Sequence, residues 1–272
     1  MNMQIIRALV KRDLKTVFQS KAVLMPLIIV PLIMFVAMPL LMIYLPDMMS
    51  VSGTSMSNMD EYMQMMPPGM LAELSGYTVE QQPIVIMLIY FLAPMFLILP
   101  IMVASVIAAD SFAGEKERKT MEALLYTPAT DLELFTAKML SAWLPALAVA
   151  LLGFVIYAVV CNVAGWHIMG RIFFPNLMWI VLILWVVPPA AGLGLGSMVL
   201  VSRRMKTFQE AYQMGGMVVL PVLLLILTQA FGVMYFSTLV AALLGLALWL
   251  VDGVLIWLGV KSFQRGELIA QL

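Results

Sequence analysis

Few residues in this chain are of a type that does chemistry. One histidine, His167, and one cysteine, Cys161, stand among 272 residues. That is too few for a zinc site or an intrachain disulfide. The sequence contains no G-x-x-x-x-G-K-[ST] loop to cradle nucleotide phosphates, no H-E-x-x-H pair and no G-x-S-x-G elbow. No catalytic residue, no metal ligand and no cofactor held by this chain is therefore expected. What remains is charge in two unusual places. One is a dense block from Asp110 to Lys138, DSFAGEKERKTMEALLYTPATDLELFTAK, between two long apolar runs. The other is Asp252, a carboxylate inside an apolar run, where it costs about 3 kcal/mol unless paired or hydrated. It marks either a translocation path or a residue near the headgroups or bonded to a neighbouring helix, and spacing leaves both open. Met48, Met49, Met56, Met59, Met63, Met65, Met66 and Met70 crowd one segment, and thioethers suit Cu(I). Methionine is abundant throughout, 26 in all, so compositional bias with a Pro67-Pro68-Gly69 turn accounts for the crowding as well.

The elements that must position these charges follow from hydropathy. The chain is 63% hydrophobic and 11% charged, against about 25% charged in ordinary soluble proteins. Several apolar runs exceed the roughly 20 residues that cross a hydrocarbon core. Six spans are expected at about 22–46, 83–109, 139–166, 176–201, 214–236 and 238–260, with a polar loop at 47–82 between the first two. Residues 1–21 alternate Arg7, Lys11, Arg12 and Lys15 with Ile6, Leu9, Val10, Leu14 and Val17. That spacing predicts an amphipathic helix in the interface, its basic side chains toward lipid headgroups or water. The first apolar run is too long for a signal-peptide core, so no cleavable leader is expected. With both termini cytoplasmic, only Arg171 of the 15 lysines and arginines falls outside, as the positive-inside rule requires. The zero net charge hides this segregation and offers nothing to nucleic acid. The expected fold is an all-α membrane protein of six spans in a single domain, 22–272, preceded by the interfacial helix.

Within the charged block, Met121, Leu124 and Leu125 share one helical face beneath Glu115, Lys116, Glu117, Arg118 and Lys119. Thr127-Pro128 ends that helix, because the residue before proline leaves helical geometry. Thr130-Asp131-Leu132-Glu133 fits a capping box that starts the next helix. A short amphipathic helix here suits docking into a groove on a soluble partner, or binding to lipid alone. In the fourth span Pro188-Pro189 followed by Gly192, Gly194 and Gly196 predicts a kink, either as a hinge or as tight packing.

The string from Phe112 to Thr120, then Glu122, Leu124-Leu125, Thr127-Pro128 and Lys138, resembles the signature of ABC-2 type permeases, FAGEKERGT-x-E-x-LL-x-TP followed by GK. These are membrane subunits of ATP-binding-cassette exporters. The resemblance extends to the amphipathic N-terminal helix, the six spans and the charged loop, here 110–138, between spans two and three. The long first outer loop is similar to the sodium-efflux and multidrug branch. The resemblance implies that this loop carries a cytoplasmic coupling helix, with Gly114, Glu115, Glu117, Arg118, Thr120 and Glu122 forming or flanking the ATPase contact. The sequence departs at Lys119, where glycine is usual, at Asp131, where arginine is common, and at Ala137, in place of the glycine before Lys138. The resemblance further implies export from the cytoplasm, with ATP and magnesium bound by a separate ATPase. Two ATPase subunits and a second or homologous permease would complete the complex in a prokaryotic cell membrane. An ion-gradient-coupled transporter is the alternative. Such proteins carry several intramembrane carboxylates and internal repeats, whereas here Asp252 stands alone and the halves show no self-similarity.

Overall fold

Prolines shape the long helices of this protein. Each proline lacks an N–H, so the carbonyl four residues earlier loses its helical donor. Where Pro39, Pro94 and the pair Pro188-Pro189 do this, the carbonyls affected belong to Phe35, Tyr90, Leu184 and Trp185. All four lie in wide π turns, Ile33–Ala37, Ile86–Phe91 and Leu182–Val186. The helices widen there instead of breaking, and in the second of these turns side chains from other helices donate to the carbonyls just before Tyr90. Tyr157 donates to Leu88 O at 2.7 Å, and Trp179 Nε1 to Ile89 O at 2.8 Å.

The computed structural model describes residues 3–19, 21–51, 68–120, 129–202, 204–205 and 207–262. All regular structure among them is helical. An N-terminal helix α1 (Met3–Gln19) is followed by α2 (21–51), whose apolar portion is Leu24–Tyr44. A short α3 (Pro68–Leu74) precedes α4 (Gln82–Glu117), α5 (Asp131–Met169), α6 (Leu177–Ser202), α7 (Phe208–Ala230) and α8 (Thr238–Ser262). Six helices, α2 and α4 to α8, are long and apolar enough to cross a membrane. Their outward faces carry exposed Leu32, Leu152, Leu184, Leu224 and Leu250, a surface suited to lipid and not to water.

Contacts at the helix ends show that the six alternate in direction. At one end Arg12 of α1 meets Glu115 of α4, Asp13 meets Ser141 of α5, and Glu117 accepts from the Phe208 N–H at the start of α7. At the other end Gln81 donates to Ile168 O, Tyr44 stacks on His167, and Arg171 donates to Gly76 O. Arg7, Lys11, Lys15, Lys116, Arg118, Lys119, Arg204 and Lys261 belong to the first end, Arg171 to the second. The expected up-and-down order of six spans is thus the observed one.

The core sits between α4, α5 and α6, where Phe35, Phe96, Tyr157, Phe174 and Trp179 form one aromatic cluster. Close approach depends on small residues. A Cβ on Gly153 of α5 would run into the Phe35 ring, and one on Gly194 of α6 would lie 2.5 Å from Ile101 O of α4.

Several boundaries differ from the sequence expectation. The fifth span starts at Phe208, not 214, because Thr207 caps it by accepting from Glu210 N–H at 3.2 Å. It stops at Ala230, not 236, because Gly232 turns the chain at φ +69°. The connection to α8 is therefore longer than the tight turn expected. The apolar face of α1 is partly covered by protein: Ile6 and Val17 are buried, Leu9, Val10 and Leu14 are half-buried, and the helix packs on α5 and α2. Its Arg7, Lys11 and Lys15 remain exposed.

Candidate functional site

At the basic end α4 and α5 outrun the apolar core. Residues 110–117 continue α4 and residues 131–138 begin α5, each adding about 12 Å of helix. The charged block therefore opens with the end of α4 and not with a separate short helix. The helix expected to start at Thr130 and run into the third span is the observed start of α5. The block is the prolonged ends of two spans, and residues 121–128 between them lie outside the described residues. The expected apolar face of Met121, Leu124 and Leu125, and Glu122 with it, falls there.

Glu115 is the centre of the site. Its residue surface is 7% exposed, and both carboxylate oxygens are occupied. Arg12 of α1 reaches Oε1 at 2.7 Å, and Lys138 of α5 reaches Oε2 at 2.5 Å. Lys138 is 1% exposed; its Nζ also donates to Ser111 O at 2.5 Å and lies 5.2 Å from the centre of the Phe112 ring. Arg12 reaches back to Asp13 at 2.8 Å, and Asp13 is approached by Ser141 Oγ at 3.4 Å. One carboxylate thus ties together three helices, α1, α4 and α5. The charges are paired and hydrogen-bonded, the condition under which buried ions are tolerated.

A second pair lies beside the first. A π turn over Asp110–Gly114 widens α4 with no proline to cause it. Arg118, two turns on, folds back to Asp110 Oδ1 at 2.9 Å. This hydrogen bond holds the guanidinium pKa above its ordinary value. Gly114 lies midway and must be small: a Cβ there would sit 2.8 Å from Asp110 Oδ1 and 3.1 Å from the Arg118 guanidinium.

The helix then ends in a Schellman turn. Thr120 N–H donates to Glu115 O at 3.0 Å and Lys119 N–H to Lys116 O at 3.1 Å. Lys119 occupies the left-handed position, φ +56°, a conformation that favours glycine. The departure noted in the sequence therefore falls at the one backbone position of this turn where glycine is the least strained residue. On the far side, Thr130 and Glu133 form the expected reciprocal cap, at 3.0 and 3.3 Å.

Of the residues singled out from sequence, Gly114 and Glu115 are buried, whereas Glu117, Arg118 and Thr120 are exposed at the tip. Asp110, Lys138 and Arg12 belong to the same site through contacts that no local pattern displays. Asp252 lies elsewhere, in the seam between α8 and α6. It is 5% exposed, its carboxylate abuts Gly192, and Oδ1 has no hydrogen-bond partner among the described residues. In the outer segment Met70 is buried in the core, while Met56, Met59, Met63, Met65 and Met66 lie outside the described residues.

Six alternating apolar helices, with a braced polar elbow at the end rich in lysine and arginine, define a multi-pass membrane protein. Residues 7–263 match the ABC-2 family transporter protein family. The chain belongs to that family, and its role is that of a permease rather than of a catalytic subunit. No protein of curated function and no solved structure matches it.

Proposed function

We propose that this chain is the membrane-spanning subunit of an ATP-binding-cassette exporter that moves its substrate out of the cytoplasm. ATP, with its magnesium, is bound and hydrolysed by separate ATPase subunits. Two of these act with a pair of permeases, either two copies of this chain or this chain and a homologue. The bilayer is the plasma membrane of a prokaryote, with the basic end and both termini in the cytoplasm.

The observation that carries this reading is the three-helix joint under the loop. A push at the tip, on Glu117, Arg118 or Thr120, reaches α4 directly, α5 through Lys138 and α1 through Arg12. Gly114 and Glu115 act from beneath by holding that tip in shape, and Glu122 extends the contact. A loop joined to lipid alone needs no such brace. Asp252, in the seam between α8 and α6, belongs to the translocation path.

The test is reconstitution with the cognate ATPase. Reversing the exposed charges together, Glu117→Lys with Arg118→Glu, leaves insertion and yield unchanged. It lowers ATPase co-purification and transport-coupled hydrolysis by about tenfold, the scale on which mispaired interface charges act. Unaltered coupling argues against the docking loop. Transport that persists without any ATPase, driven by an ion gradient, overturns the reading altogether.

A further inference from the structure

We propose that the seam between α6 and α8 receives an organic monocation with an apolar body, and that Asp252 is its counter-ion. The inference rests on the permease reading only in treating that cation as cargo.

α6 and α8 run in the same direction, so positions seven residues apart on each recur along one seam. Trp185 and Gly192 of α6 face Gly245, Trp249 and Asp252 of α8. The two indoles lie 6.1 Å apart between ring centres. Trp185 covers Gly245, where no Cβ fits, and donates Nε1–H to Ala242 O at 3.1 Å. About two turns beyond Gly245 along α8, the Asp252 carboxylate lies against Gly192, again with no room for a Cβ. Trp185 and Trp249 are 42% and 41% exposed, whereas Asp252 is 5% exposed. The seam therefore presents aromatic faces toward the apolar surroundings and keeps a carboxylate behind them.

No described base faces that carboxylate. Lys261, on the same helix, is nine positions away, about 13 Å along the axis, and its ammonium lies 5.6 Å from the centre of the Trp257 ring. Arg204 is exposed beyond the end of α6. Lys138 of α5 is engaged by Glu115 and Ser111. A buried carboxylate oxygen without donor or counter-ion is costly in hydrocarbon, and a cationic guest removes that cost. A neutral guest leaves it, and an anion adds to it. A bare inorganic ion would exchange its hydration shell for one carboxylate, far short of the six or so oxygens hard cations take. A poorly hydrated organic cation gains the carboxylate and the exposed indole of Trp249, less than one turn away on α8.

The experiment uses the full chain in neutral phosphatidylcholine nanodiscs with two probes of like size and opposite charge, labelled tetraphenylphosphonium and tetraphenylborate. The cation binds saturably and the anion does not. Asp252→Asn weakens cation binding by about tenfold, Asp252→Glu by less than about threefold, and Trp249→Ala by about fivefold. If Asp252→Asn fails to insert, the contrast between the probes on the unaltered chain and the Trp249→Ala result decide. The proposal is overturned by absence of saturable cation binding. It is equally overturned by equal binding to Asp252→Asn, by saturable binding of the anion, or by sodium chloride displacing the cation while potassium chloride does not. No ATPase is present, so failure here leaves the permease reading standing, and a failed coupling test leaves this one standing.

Discussion

Glu115 and Asp252 are equally hidden carboxylates, 7% and 5% exposed, in opposite circumstances. Glu115 stands where two helices outrun the apolar core, and cations from α1 and α5 occupy both its oxygens. Asp252 stands inside a span, against a glycine, with one oxygen unpartnered among the described residues. Burial alone therefore says little about what a carboxylate does. A satisfied one is a joint, because removing it leaves other charges stranded. An unsatisfied one contributes little to the fold and is open to a guest.

The contrast is broken most directly by neutralising each in turn. Glu115→Gln leaves the Lys138 ammonium buried without its counter-charge, a loss of about 3–5 kcal/mol. The thermal midpoint in detergent should then fall on the order of 10 °C. Asp252→Asn should leave that midpoint unchanged or raise it, since it removes a charge that no described base offsets. Equal losses at the two sites would abolish the distinction. Pairing Glu115→Leu with Lys138→Met should restore much of what either change loses, because no charge is then left unpaired.

Two glycines sharpen the comparison at smaller cost. Gly114→Ala places a methyl group under the Asp110–Arg118 bridge and should cost about 1–3 kcal/mol. Arg118→Ala in the same chain should recover part of that loss, read as thermal midpoint. Gly192→Ala meets the Asp252 carboxylate and should cost a similar amount, about 1–3 kcal/mol. Here Asp252→Ala should relieve it. Were Gly192→Ala neutral on its own, Asp252 would not be seated where the seam places it.

How much of this could be read from the sequence depended on the range of the interactions. The six spans, their alternation and the Thr130–Glu133 cap are written in runs of adjacent residues, and hydropathy and capping chemistry recover them. The joint is not, because Arg12 and Glu115 are 103 positions apart and Lys138 and Glu115 are 23 apart. Read locally, EKERK is a solvated run of charge, and only the π turn at Asp110–Gly114 and the approach of α5 put its first member inside. Lys138 before an apolar span was a visible signal, since a lysine there needs a partner. The early start of α7 was hidden for another reason: Phe208–Gly215 is amphipathic, and a hydropathy threshold excludes it.

The smallest effect comes from the turn that closes the joint. Three described helix ends place a residue at positive φ, with Gly170 at +61°, Gly232 at +69° and Lys119 at +56°. Two of the three are glycine, for which that conformation carries no steric penalty, whereas a lysine there loses about 1 kcal/mol to its Cβ. Lys119 is exposed, and among the described contacts it is its backbone N–H, not its side chain, that makes the hydrogen bond to Lys116 O. Lys119→Gly should therefore keep every hydrogen bond of the turn and raise stability by up to about 1 kcal/mol, offset in part by the greater freedom of glycine in the unfolded chain. A rise in thermal midpoint of a few degrees with unchanged coupling would mean that the strained lysine is incidental to the joint. A rise accompanied by weaker ATPase capture would mean that the Lys119 ammonium itself meets the partner, and that the exposed tip is held in a strained turn in order to present it.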